Sequence, residues 1–95
     1  MTSIGNAIKL CRVAKSLSQT DLAKSADVSV SYLSLLECDK RDPVMSTIER
    51  IASALAVPLP VLMFLAHDKG EIYGISPEIA EKLAALALFL IAAAE

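Results

Sequence analysis

The sequence predicts an all-α fold, on three observations. Apolar residues recur at three- and four-residue spacing in successive short segments. Serines stand where helices should open, at Ser18, Ser29 and Ser76, each just ahead of such a segment. The stretch Ser18 to Leu36, SQTDLAKSADVSVSYLSLL, reads as two short helices joined by a tight turn.

In chain order, residues 3–17 form a first helix, with Ile4, Ala7, Ile8 and Cys11 in one stripe and Lys9, Arg12 and Lys15 elsewhere. Ser18 caps the second helix, Asp21 places an acid in its first turn, and Leu22, Ala23 and Ala26 share a face. Asp27 interrupts, because Asp tolerates the left-handed conformation that a short interhelical turn needs. Ser29 caps again, and a third helix runs from Val30 to about Glu37. At about 100° per residue, Leu33 and Leu36 project to one side with Tyr32 beside them. Val30, Ser31, Ser34 and Leu35 cover the other side, so this helix has a core face and a presented face.

Residues 38–45, CDKRDPVM, carry turn and stop signals and form a loop. Ser46 with Glu49 reads as a capping box that opens a fourth helix to about Ala56, burying Ile48, Ile51, Ala52 and Leu55. Val57-Pro58-Leu59-Pro60 is a break before a short apolar helix from Val61 to Ala66. Residues 67–75 are polar, contain two glycines and read as a loop. Ser76 caps the last helix, Pro77 suits its first position and Glu78 complements its positive end. The chain thus divides into a domain over 1–66, a loop over 67–75 and a C-terminal helix over 76–95.

Composition narrows the function classes. Ninety-five residues with 55% apolar and 21% charged content suit one globular domain, with the apolar excess mainly after residue 51. The net charge of −2 gives no global basic signal for nucleic acid. The charge is uneven, at +1 over residues 1–50 and −3 over residues 51–95, so contact with DNA would rest on locally placed cations. Cys11 and Cys38 belong to no CxxC, and one histidine is too few for a usual zinc site, so no metal is expected. His67 has no nucleophile or carboxylate set around it by spacing, and the three glycines form no phosphate loop. Neither an enzyme nor a cofactor is expected. The N-terminus lacks a basic segment followed by an apolar run, which points to the cytoplasm.

Residues 4–65 resemble the phage-repressor and Cro-like helix-turn-helix family, also called XRE. The resemblance rests on Ile4-Gly5, Ile8, Arg12, Leu17-Ser18-Gln19, Leu22-Ala23, Val28-Ser29, Tyr32-Leu33-Ser34 and Leu36-Glu37. It continues through Lys40-Arg41, Pro43, Thr47-Ile48, Ile51-Ala52, Ala54-Leu55 and Val57, in order and without gaps over about two thirds of the chain. It implies a five-helix lambda-repressor-like DNA-binding domain, to which this chain adds an apolar C-terminal helix. It also implies a transcriptional regulator, repressor-like, with the third helix in the major groove of double-stranded DNA.

Carried over residue by residue, the resemblance makes Val30, Ser31 and Leu35 base-reading positions, flanked by Ser29 and Ser34. Arg, Asn and Gln, the usual bidentate readers, are absent there; Val30 and Leu35 could pack on thymine methyls, and the serines could bond base or phosphate. Gln19, with the free N–H groups of its helix end, and the Lys40-Arg41 pair would meet phosphates. Arg12 and Glu37 would form a structural ion pair between the first helix and the end of the third. Two aspartates depart from the pattern: Asp39 and Asp27 stand where glycine is common, and Asp39 brings a negative charge close to DNA. Tyr32 reads as a core-edge residue.

Leu83 to Ala94, LAALALFLIAAA, has no polar side chain. Such a surface must be covered by its own domain, by a second subunit or by a membrane. Twelve residues fall short of the ~20 that span a bilayer, so a membrane is not expected. A homodimer is the expected cover, through Leu83, Leu86, Ala87, Leu90, Ile91 and Ala94. Two such domains about one helical turn apart, ~34 Å, would read an inverted-repeat operator. The alternative is a protein-interaction module, such as the antitoxin of a toxin–antitoxin pair, with the same fold and a protein partner.

Overall fold

Four serines start four of the helices in the computed structural model, which describes residues 3–67 and 74–93. Ser3 Oγ accepts the Asn6 N–H at 3.1 Å and opens α1, Ile4–Ala14. Ser18 Oγ accepts from Asp21 at 3.0 Å ahead of α2, Gln19–Ala26. Ser29 Oγ accepts from Tyr32 at 3.0 Å ahead of α3, Val30–Glu37. Ser76 Oγ accepts from Ile79 at 3.2 Å ahead of the last helix, Pro77–Ala93. Each hydroxyl satisfies an N–H that has no partner within its helix.

Two intervening helices start otherwise than expected. The fourth, α4, spans Met45–Leu55, and the residue before it is Val44, with no side-chain cap. The Ile48 N–H already reaches Val44 O at 3.1 Å, so the helix opens ahead of Ser46 and the Ser46–Glu49 capping box does not form. The fifth, α5, spans Leu59–Ala66 and opens two residues before Val61. Pro60 fits within its first turn, where an N–H has no acceptor in any case. The Pro77–Ala93 helix is α6.

Helix ends follow one device. Ser16, Asp27, Asp39 and Ala56 all take positive φ, between 57° and 59°, and each lies just past the end of one of the first four helices. The left-handed residue reverses the chain and lets the following N–H groups return to the last turn: Val28 to Ala23 O and Val57 to Ala52 O, both at 3.0 Å. At Ser16 this stops α1 at Ala14, short of the expected residue 17.

The helices close around α1, which packs on α3, α4, α5 and α6, while α2 lies against α3 and α4. Ile8, Cys11, Leu22, Leu33, Leu36, Ile51, Leu55, Leu62 and Leu65 are fully buried. The expected α4 stripe of Ile48, Ile51, Ala52 and Leu55 faces this core, joined by Thr47. Among the described residues there is no strand, and no single helix is long and apolar enough to cross a membrane.

Helix α6 shows two faces. Ala80, Ala84 and Ile91 are buried, with Ala87 and Leu88 partly so against the same core. Ile79, Leu83, Leu86 and Leu90 form a second stripe, roughly 110° round the helix, and stay exposed. Phe89, beside this stripe, is 68% exposed. Ile91, expected at a dimer contact, is therefore a core residue of its own domain, and Ala87 is half turned toward that core. Ala94, from the same set, lies outside the described residues, as do residues 68–73 of the expected 67–75 loop.

Candidate nucleic-acid interface

The turn between α2 and α3 sets the site. Asp27 in the left-handed region turns the chain at once, and the Ser29 cap restarts it, so only three residues separate α2 from α3. Leu33, Leu36 and Glu37 then point inward. Val30, Ser31 and Leu35 remain exposed, with Val30 and Leu35 about 40% so. Of the flanking serines, Ser29 is exposed and its oxygen is taken by the Tyr32 N–H, while Ser34 is half-buried.

One carboxylate holds this helix in place. Glu37 is buried and accepts from Arg12 Nε at 2.8 Å, from Arg12 Nη2 at 3.0 Å and from Gln19 Nε2 at 3.0 Å. Arg12 Nη1 also donates to Leu17 O at 2.9 Å, tying in the chain just before α2. The hydrogen bond to Glu37, with its charge, raises the Arg12 pKa against the opposing effect of burial. Four segments thus meet on one ion pair: α1, the α1–α2 turn, the start of α2 and the end of α3.

Gln19 is drawn into this network by its amide nitrogen. Its second N–H and its carbonyl oxygen remain for other partners. The sequence did not show that Gln19 reaches Glu37, because the two lie eighteen residues apart and meet only across the packed helices.

Beyond α3 the chain folds back. Lys40 N–H donates to Leu35 O at 2.8 Å and Asp39 N–H to Leu36 O at 3.1 Å. Lys40 and Arg41 are exposed. The Arg41 guanidinium carbon sits over the Tyr32 ring, 5.2 Å from its centroid. This contact also escaped sequence reading; nine positions separate the residues, and only the reversed chain brings them together. Tyr32 is half-buried against the core, as expected of a core-edge residue.

Asp39 has a partner of its own. Ser3 Oγ donates to Asp39 Oδ1 at 2.7 Å, which places the carboxylate near the start of α1, the positive end of that helix. Gly5 lies beneath the same turn, where an added Cβ would overlap the Leu36 carbonyl oxygen. Asp27, the other departure from glycine, is exposed and lies 3.9 Å from Arg50, an ion pair too open to contribute much. Cys38 is exposed and Cys11 buried. Among the described residues no three His, Cys, Asp or Glu side chains come together as a metal site would require.

These features, a short helix presented by a tight turn and braced from behind, define a helix-turn-helix protein. A family model described as helix-turn-helix matches residues 8–62, and the chain belongs to that family, of the XRE type. It is similar to the immunity repressor protein of Bacillus phage phi105, 36% identical over 61 residues, which are 64% of this chain and 42% of that protein. It is also similar to the transcriptional regulator ClgR of Mycobacterium tuberculosis, 29% identical over 68 residues, 72% of this chain and 58% of that one. The chain spans about half the length of these relatives. No solved structure gives a significant match.

Proposed function

We propose that this protein is a sequence-specific DNA-binding transcriptional regulator, repressor-like, that works as a homodimer with α3 in the major groove. The observation that carries the reading is the contrast on α3. Its inner side is locked by the buried Arg12–Glu37–Gln19 network, while the side chains of Val30, Ser31 and Leu35 are left exposed on the outer side. Family membership supports it, and so do two relatives whose names are those of a repressor and a transcriptional regulator.

Val30 and Leu35 pack on thymine methyls, and Ser31, with Ser29 and Ser34 beside it, bonds base edges or phosphates. Gln19 and the opening N–H groups of α2 face one phosphate, Lys40 and Arg41 another. The exposed stripe of Ile79, Leu83, Leu86 and Leu90 pairs with the same stripe of a second subunit, which sets two α3 helices on an inverted repeat. Such a regulator acts in the cytoplasm, on a site its dimer occludes.

Selection from random duplexes tests this, with Lys40→Ala/Arg41→Ala protein alongside. The expected result is an enriched inverted repeat that the variant fails to recover. A second reading, a protein-interaction module such as an antitoxin, is favoured by the absence of Arg, Asn and Gln from the presented face. It predicts no enrichment at low salt.

A further inference from the structure

We propose that Tyr32 positions Arg41: its ring holds the guanidinium at the rim of the α3 face, set to grip a DNA phosphate. The inference rests on the DNA reading above and adds to it a residue that need touch no DNA itself.

The chain behind it can be followed atom by atom. Asp39 takes a φ of 59°, which turns the backbone out of α3. The Lys40 N–H then returns to Leu35 O at 2.8 Å, so the loop is tied back along the helix it has just left. The next residue, Arg41, reaches Tyr32 in the first turn of α3. Tyr32 lies three positions before Leu35, hence beside it on the helix surface, and Leu35 is part of the presented face. The cation is therefore held at the edge of that face.

No hydrogen bond or ion pair among the described residues takes a donor of this guanidinium, although the loop 38–42 contains two aspartates. The carboxylate of Asp39 is engaged by Ser3. A cation over an aromatic face is attracted by the ring quadrupole and keeps its N–H edge available. That edge matches two phosphate oxygens at once. An unrestrained arginine would lose its rotamer freedom on binding; here part of that loss has already occurred.

Binding of a mixed-sequence duplex of about three helical turns, followed by anisotropy across a salt series, tests the role without knowledge of the operator. Arg41→Ala should lower the slope of log K against log salt by about one. Tyr32→Phe, which keeps the ring, should bind as wild type. Tyr32→Leu should weaken binding about two- to five-fold with a reduced slope, and should add nothing in the Arg41→Ala background. A melting curve confirms that Tyr32→Leu is folded; Tyr32→Met replaces it if it is not.

An equal loss from Tyr32→Leu with and without Arg41, or the same loss from Tyr32→Phe, would overturn the positioning role and leave the DNA reading intact. A wild type that binds no duplex at low salt would overturn both.

Discussion

Arg12 and Glu37, twenty-five residues apart, are joined by two parallel hydrogen bonds, Nε to Oε2 at 2.8 Å and Nη2 to Oε1 at 3.0 Å. The Glu37 side chain is 2% exposed and that of Arg12 13%, so the pair is largely shielded from water. Removing one partner leaves the other charged and buried. Arg12→Ala should therefore cost about 3–5 kcal/mol, seen as a lower melting temperature. Replacing both, as in Arg12→Met/Glu37→Leu, should restore most of that stability, because no charge remains to desolvate. An Arg12→Ala variant that melts like wild type would refute the bracing role.

Gly5 marks a second contact between the same helices. An added methyl would overlap the Leu36 carbonyl oxygen and come within 2.8 Å of Asp39 Oδ1. Backbone cannot rotate aside as a side chain can. Gly5→Ala should destabilise by about 1–3 kcal/mol and shift the end of α3, weakening DNA binding beyond the loss of stability. Urea titration and anisotropy on the same sample separate the two effects.

The α6 faces predict opposite outcomes for neighbouring residues. Ile91 is buried in its own domain, so Ile91→Ala should cost about 2–5 kcal/mol. Leu86 and Leu90 are 52% and 56% exposed, so Leu86→Glu/Leu90→Glu should leave the chain folded and abolish the proposed dimerisation. Sedimentation reads the second result. A wild type that sediments as a monomer at high micromolar concentration would end the dimer proposal.

Cys11 gives a dependence on pH. Burial pushes its thiol from 9.0 up to about 11, with Lys15 partly opposing. Between these values the unfolded chain loses a proton that the folded chain keeps, so the unfolded state binds fewer protons and stability falls as pH rises. The contribution is intact below 9.0 and is lost as pH rises through about 11, at most about 3 kcal/mol. Urea unfolding across that window should show a steeper decline for wild type than for Cys11→Ala. Under native conditions a thiol reagent should label exposed Cys38 and spare Cys11.

The helix count, the tight α2–α3 turn and the serine caps at Ser18, Ser29 and Ser76 were legible because each depends on residues within one or two turns. The Ser46–Glu49 box failed for a reason of the same range: the signal was present, but Val44 offered its carbonyl two residues earlier. The Arg12–Glu37 pair was legible only through resemblance to a family, since nothing in periodicity links the two positions.

By itself, the sequence determined six helices and the inward face of α3, which follow from local spacing and capping, and, through its resemblance over residues 4–65, the family to which the chain belongs. The tertiary structure decided which apolar residues of α6 are core and which are surface. It also brought Gln19 to Glu37, Arg41 to Tyr32 and Asp39 to Ser3. A run such as LAALALFLIAAA is apolar all round, so its pattern names no inner face; only the helices packed against it choose one.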